Sequence, residues 1–159
     1  MTVDFSLAGL EKEGFGGFLS GASLTATRCW EIPDGPGVYV VLRESPAEVR
    51  FLPVSTGGHF KGKDPSVPVV ELSARWLQRT PVVYIGKADR LRRRVAQLLD
   101  FGAGSAVGHW GGRCLWQLEG SGQLLVGWQE NPEPRLREQA LLAAFERAYE
   151  RLPFANLQR

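Results

Sequence analysis

The sequence has no apolar run near the roughly 20 residues that a transmembrane helix requires. Its first residues, MTVDFSLAGLEKEG, lack the basic and apolar regions of a secretory signal peptide. These two absences predict a soluble, cytoplasmic protein. Cysteine is also scarce: Cys29 and Cys114 are far apart and belong to no CxxC or Cys/His cluster. Neither a disulfide framework nor a zinc site is therefore indicated, and both are expected to be reduced, partly buried thiols.

Positive charge is in small excess: the chain has 19 Lys and Arg residues and 17 Asp and Glu residues, which gives a net charge of +2. A dedicated nucleic-acid-binding domain is usually far more basic. The cations are nevertheless clustered: KADRLRRR runs from Lys87 to Arg94, and a looser group contains His59, Lys61 and Lys63. A solvated helix face is the simplest interpretation of such a run, and contact with nucleic acid is the alternative.

A chain of 159 residues can bury one hydrophobic core, so we predict one domain over 1–159, with 1–30 as an N-terminal extension. Segments rich in β-branched residues indicate three strands, at 38–42, 81–86 and 124–130. Helices are predicted at 5–12, 70–78, 89–99, 113–118 and 133–152. A hairpin is expected at 49–54, within a connection rich in Gly, Pro and charged residues. Three strands interleaved with helices predict a small α/β layered domain.

Two tyrosines lie on neighbouring predicted strands. Because alternate side chains of a strand share a face, Tyr39 is expected to share one with Val41, and Tyr84 with Val82. If the strands pair directly, both phenols project from one side of the sheet. The alternative is that each tyrosine is simply a half-buried packing residue.

One arginine of the basic run is placed differently from its neighbours. At about 100° per residue, Leu91, Val95, Leu98 and Leu99 form an apolar stripe, and Arg94 lies on its border while Arg93 points away. Arg94 is therefore the arginine best placed to reach the sheet. A side chain that merely covers the edge of the core is the alternative.

One glutamate falls within an apolar helix face. Glu138 lies in the middle of the sector that holds Leu141, Leu142 and Phe145. A carboxylate that faces a core is costly unless an arginine or a metal ion meets it. A buried Glu–Arg pair without chemistry, or a frayed first turn that leaves the carboxylate in water, remains an alternative.

The order and spacing of these residues resemble the signature of the GIY-YIG nucleases. The matching elements are GVY at 37–39, YIG at 84–86, Arg94, Glu138, and Asn156 in the closing PFAN. YIGKADRLRRRV resembles the nuclease domain in the incision subunit of bacterial nucleotide excision repair. REQALLAAF resembles the segment around the catalytic glutamate of intron-encoded homing endonucleases. The resemblance spans Gly37 to Asn156.

The resemblance implies an α+β fold with a three-stranded antiparallel sheet flanked by helices. It also implies a metal-dependent endonuclease that hydrolyses phosphodiester bonds in DNA with one Mg²⁺ or Mn²⁺ ion. Glu138 would hold the metal, Arg94 would contact the scissile phosphate, and Tyr39 would activate water with Tyr84 in support. The residues expected to bind substrate are Lys61, Lys63, Lys87, Arg92, His109 and Asn156.

The chain departs from the family in two places. Tyr39 and Tyr84 are 45 positions apart, so 43–80 is a long insertion between strands that the family joins by a short hairpin. Leu98 stands where many members carry a histidine. His109 could come near the site, although a structural or solvated histidine is the simpler interpretation.

Two alternatives to a DNA endonuclease stay open at the level of sequence. A nucleic-acid-binding or partner-binding module could keep this scaffold without cutting, and the substrate could be RNA, since no residue pattern here reads a base or a 2′-hydroxyl. Target recognition could also require a protein partner or a second copy of the chain.

Overall fold

A four-stranded antiparallel sheet forms the centre of the structure, a computed structural model that describes residues 2–158. Its strands are β1 (Gly16–Ser20), β2 (Gly37–Leu42), β3 (Val82–Ala88) and β4 (Leu125–Glu130), in the order β1-β4-β2-β3. The α-helices of this part of the chain are α1 (Leu7–Lys12), α2 (Gly21–Ala26), α3 (Val69–Arg75), α4 (Leu91–Gly102) and α5 (Pro134–Tyr149). The mixed α/β class is confirmed, whereas the prediction of three strands was wrong.

Strand β1 and the short helix α2 that follows it were not predicted from the sequence. Strand β1 is the one that changes the sheet. It lies in a glycine-rich stretch without the β-branched residues that mark the other strands. It pairs with β4, and its register shifts between Gly17 and Leu19, where Phe18 has a φ of 52°. A Cβ atom on Gly127 would lie 2.5 Å from the Phe18 ring. Glycine therefore gives an aromatic ring room to cross the strand pair.

The sheet separates two hydrophobic clusters. Val38, Val40 and Leu42 of β2 face one cluster, which contains residues of α1 and α5. Tyr39 and Val41 face the other, which contains residues of α2, α3 and α4. The six residues of β2 are all buried, as expected for a strand covered on both faces.

Strands β2 and β3 are direct neighbours, but a bulge changes the face of one predicted residue. Val41 lies opposite Tyr84 and Leu42 lies opposite Val82, so Val83 is the extra residue. A bulge shifts the alternation of side chains along a strand. Val82 therefore packs in the hydrophobic cluster on the other side of the sheet from Tyr84. The prediction that Tyr84 and Val82 share a face was wrong, and the prediction for Tyr39 and Val41 is confirmed.

The insertion at 43–80 is anchored to the core through one buried amide. Gln117 is fully buried, and its Nε2 donates hydrogen bonds to the carbonyls of Leu52 and Val67 while its Oε1 accepts one from the Val67 amide. Phe51 forms a single bridge with Leu118. The segment 49–54 therefore pairs with 117–118, and the expected hairpin within it was wrong.

Helices α4 and α5 follow their sequence signals closely. Pro134 occupies the first turn of α5, where a missing N–H costs nothing. The helix ends at Tyr149, and the next residue, Glu150, has a φ of 62°. Leu91, Val95 and Leu98 of α4 are buried as predicted. Among residues 2–158, no helix is both long and apolar enough to cross a bilayer.

Candidate active site

The two motif tyrosines come together because a glycine makes room for one of them. Tyr39 lies opposite Gly86 in the strand pair. A Cβ atom at Gly86 would sit 2.4 Å from Cζ of Tyr39, so only glycine allows the ring to lie across β3. The ring centroids of Tyr39 and Tyr84 are 6.1 Å apart, on the same side of the sheet. This confirms the prediction that both phenols share a face.

The two phenols differ in their environment. Tyr39 is 1% exposed, and burial raises its pKa well above the usual value, with the neighbouring Tyr84 adding to the shift. Tyr84 is 9% exposed and lines a cavity. Burial raises the pKa of Tyr84 too, and the charge of Glu138 adds to the shift, but the charge of Arg94 acts in the opposite direction. Tyr84 is therefore the phenol that meets solvent and ionises more easily.

His109 is a buried partner of Tyr39. Its Nε2 lies 2.9 Å from the hydroxyl oxygen of Tyr39, and the side chain is fully buried. Burial, reinforced by the charge of Arg94, lowers the pKa of His109 to about 3, so the ring is neutral at physiological pH. A Cβ atom at Gly112 would lie 3.2 Å from His109 and 3.5 Å from Leu98. His109 thus lies in the neighbourhood of Leu98 of α4.

Arg94 connects helix α4 to the loop that carries His109. Its Nη1 donates a hydrogen bond of 2.7 Å to the carbonyl of Gly108 and one of 3.2 Å to Oε1 of Gln97. Its positive charge lowers the pKa of both tyrosines against the effect of burial. Arg94 lies on the border of the apolar stripe, as the sequence predicts.

Glu138 is a half-buried carboxylate on α5 without a close cation. Burial raises its pKa, and the charge of Lys87 acts in the opposite direction. Among residues 2–158, Glu138 forms no ion pair within 4 Å, so the alternative of a Glu–Arg pair does not describe this side chain. Glu138 thus lies beside an apolar sector with the charge of Lys87 near it but without a direct ion pair.

One Mg²⁺ or Mn²⁺ ion fits this donor set. Within the described residues, no group of three or more His, Cys, Asp or Glu side chains converges on a point. Mg²⁺ dehydrates reluctantly and is commonly bound through one or two carboxylates, with waters and substrate phosphate as its other ligands. Glu138 offers one carboxylate at the wall of a spacious cavity, which suits an ion bound in that way.

The cavity beside Glu138 has a volume of about 1120 Å³ and opens at β3, an edge strand of the sheet. Tyr84, Lys87 and Glu138 line it together. A second cavity of about 430 Å³ shares Lys87 and Arg135 with the first and is lined by Arg94. The four proposed catalytic residues are therefore grouped at one edge of the sheet, with Tyr39 behind Tyr84.

Asn156 supports this edge. Its Oδ1 accepts a hydrogen bond of 3.0 Å from the Ile85 amide, and its Nδ2 donates one of 2.9 Å to the Ile85 carbonyl. The Ala155 amide adds a bond of 2.8 Å to the Val83 carbonyl. These bonds satisfy the backbone groups of the residues before and after Tyr84 along the unpaired edge of β3. The amide of Asn156 is thus committed to positioning the strand.

Three residues predicted to bind substrate lie outside this group. Arg92 donates a hydrogen bond of 2.8 Å to the Ile32 carbonyl and stacks over Trp30 at 4.8 Å. Lys61 stacks on Phe60 within the insertion. The Nζ of Lys63 is 6.0 Å from the ring of Trp110, which lines the larger cavity, so Lys63 approaches its rim.

Several residues of the larger cavity were not predicted from the sequence, among them Trp110, Arg113 and Arg135. Arg135 precedes Glu138 by three positions, and residues at that spacing are neighbours on a helix. That spacing could have identified Arg135. Trp110 and Arg113 lie in a 3-10 segment interrupted by glycines, where hydrophobic periodicity gives no signal.

Comparison with known protein families, with curated proteins and with solved structures gave no match to this chain.

Proposed function

We propose that this protein is a divalent-metal-dependent endonuclease of the GIY-YIG type, which hydrolyses phosphodiester bonds in DNA. The observation that carries the proposal is that a carboxylate without an ion pair, Glu138, shares one cavity with Tyr84 and Lys87, while Arg94 lines the adjoining cavity. These residues come from three elements, β3, α4 and α5. Phosphodiester hydrolysis needs a nucleophilic water, positive charge at the phosphate and a stabilised leaving oxygen, and these side chains can meet each need.

Lys87, Arg94 and Arg135 bind the phosphate in this proposal. Lys87 and Arg135 belong to both cavities, so a phosphate held between them lies near both Arg94 and Glu138. The guanidinium of Arg94 presents a planar set of donors that suits phosphate oxygens. Its bond to the Gly108 carbonyl fixes its orientation before substrate binds. Glu138 would hold Mg²⁺ or Mn²⁺, which when bound polarises the phosphate and neutralises charge in the transition state.

Tyr84 orients and deprotonates the attacking water in this proposal. It lines the cavity, whereas Tyr39, the residue that the sequence favours as base, is almost fully buried. A phenol needs stabilisation of its ionised form to act near neutral pH. The charge of Arg94 lowers the pKa of Tyr84 against the effects of burial and of the Glu138 charge, and so provides part of that stabilisation.

His109 holds the hydroxyl of Tyr39 through one hydrogen bond. We assign the proton to Nε2 of His109, since a buried Nδ1 without a partner is less costly as a bare acceptor than as an N–H. Nε2–H then donates to the Tyr39 oxygen. The two buried residues act as positioning residues, because their hydrogen bond holds the Tyr39 ring beside Tyr84.

Arg94→Lys is expected to reduce the rate of plasmid nicking by about 100-fold, because lysine keeps the charge but loses the planar array of donors. The assay follows conversion of supercoiled DNA to nicked circles in Mg²⁺, with an RNA of matched sequence as a parallel substrate. The matched control is Arg93→Lys, since Arg93 is the exposed neighbour on the same helix. Equal rates for the two variants would contradict the role of Arg94.

Retained DNA binding without any cutting by the wild type would instead favour a non-catalytic binding module.

A further inference from the structure

The cavity that holds Glu138 is larger than a single phosphodiester group requires. Its volume is about 1120 Å³, and sites of about 300–1,000 Å³ accommodate whole drug-sized ligands. Trp110, Gly111 and Arg113 form part of its wall. None of these three residues has a task in the hydrolysis described above. The wall therefore offers space and side chains for a further part of the substrate.

The ring of Trp110 is held firmly in that wall. It packs edge to face on Phe101 at 6.2 Å, and Phe101 is fully buried. The guanidinium carbon of Arg113 lies 4.7 Å from the centroid of the Trp110 ring, and Nη1 of Arg113 donates a hydrogen bond of 3.2 Å to the Trp110 carbonyl. The indole and the guanidinium thus form a preorganised pair, to which we refer as the Trp110–Arg113 platform.

The charge of the cavity indicates an anionic ligand. Lys87, Arg113 and Arg135 line it together with one acidic residue, Glu138. An aromatic ring beside clustered cations is the combination with which proteins bind single-stranded nucleic acids, the cations contacting the backbone and the ring stacking on a base. Bases inside a duplex stack on each other and do not offer their faces, so only an unpaired base can use such a ring.

We propose that the Trp110–Arg113 platform stacks on an unpaired base, so that the enzyme prefers nucleic acids with single-stranded nucleotides beside the bond that it cuts. The inference rests on the proposed function for the identity of the substrate as a nucleic acid. It goes beyond that function because it names the structural class of substrate. Fully paired duplex would bind through the cations alone.

Binding measured in chelator separates this inference from catalysis. Fluorescence anisotropy would compare a labelled single strand, a duplex of the same length and a duplex with a single-stranded flap, all at one salt concentration. Trp110→Ala is expected to weaken binding to the single strand and the flap by about 10-fold or more, with little change for the duplex. Trp110→Phe should restore most of the affinity, and it serves as the working variant if the alanine variant does not fold.

Trp30 provides a matched control. It is 73% exposed and has Arg92 over its ring at 4.8 Å, but it does not line the cavity. Trp30→Ala should bind all three substrates as the wild type does. The inference is overturned if Trp110→Ala binds single strands as tightly as Trp30→Ala, or if its loss is equal for strand and duplex. If the inference is overturned in this way but the wild type still cuts DNA, the proposed function stands. If the wild type prefers single strands through Trp110 but cuts no substrate, the proposed function is contradicted and the inference about binding stands.

Discussion

Glu138→Gln is expected to abolish nicking, with a loss on the order of 1000-fold or more, because a metal ion supplies several kcal/mol of transition-state stabilisation and Glu138 is its proposed protein ligand. The amide keeps the size of the side chain and removes its charge. The matched control is Glu133→Gln at the start of the same helix, since Glu133 is exposed and outside the cavity. Nicking by Glu138→Gln at the rate of Glu133→Gln would contradict the role of Glu138.

The same variant has an expected signature in stability. Burial raises the pKa of Glu138 above its unfolded value of 4.5, so the folded state favours the protonated form. The favourable contribution of Glu138 to the free energy of unfolding is fully present below pH 4.5. It is lost as the pH rises through the pKa of Glu138 in the folded state. Glu138→Gln should therefore be more stable than the wild type at neutral pH, and the difference should shrink as the pH falls toward 4.5. Urea unfolding at several pH values measures this difference.

Tyr84→Phe is expected to slow cutting by about 100-fold to 10,000-fold, the range over which a positioned acid or base contributes, with little loss of stability. For Tyr39→Phe we expect the opposite result, a loss of stability with little change in the rate of cutting. It leaves the buried Nε2 of His109 without a partner, which costs about 1–3 kcal/mol of folding free energy, while the cavity-facing hydroxyl of Tyr84 remains. Single-turnover cutting rates and urea unfolding of both variants separate the two roles.

The two tyrosine variants serve as controls for each other, because each removes one hydroxyl from the same aromatic pair. A folded Tyr39→Phe protein without activity, together with full activity in Tyr84→Phe, would reverse the assignment. The base would then be Tyr39, as the sequence favours.

Local signals were sufficient for the elements that carry the site. β2, β3 and β4 are rich in branched residues, and α4 and α5 have apolar faces with the periodicity of a helix. The placement of Arg94 and Glu138 follows from that periodicity alone. β1 was missed because its strand pairing depends on glycines that accommodate Phe18 and Trp128, and that requirement appears only in the assembled sheet.

The residues that complete the site depend on contacts distant in sequence. His109 reaches the neighbourhood of Leu98 on a loop, and its partner Tyr39 lies 70 positions earlier in the chain. The bulge at Val83 sets which residues of β3 face Tyr39, and no turn or propensity signal marks it. The distinction between a buried and a cavity-facing tyrosine likewise required the packing of the whole edge of the sheet.

The most direct test of the central claim is nicking of supercoiled DNA by the purified wild-type protein in Mg²⁺, in Mn²⁺ and in excess chelator. The proposed function predicts nicked circles with either metal and none in chelator, with activity restored when the metal is added back. An absence of cutting in both metals, or cutting that continues undiminished in chelator, would contradict a metal-dependent nuclease.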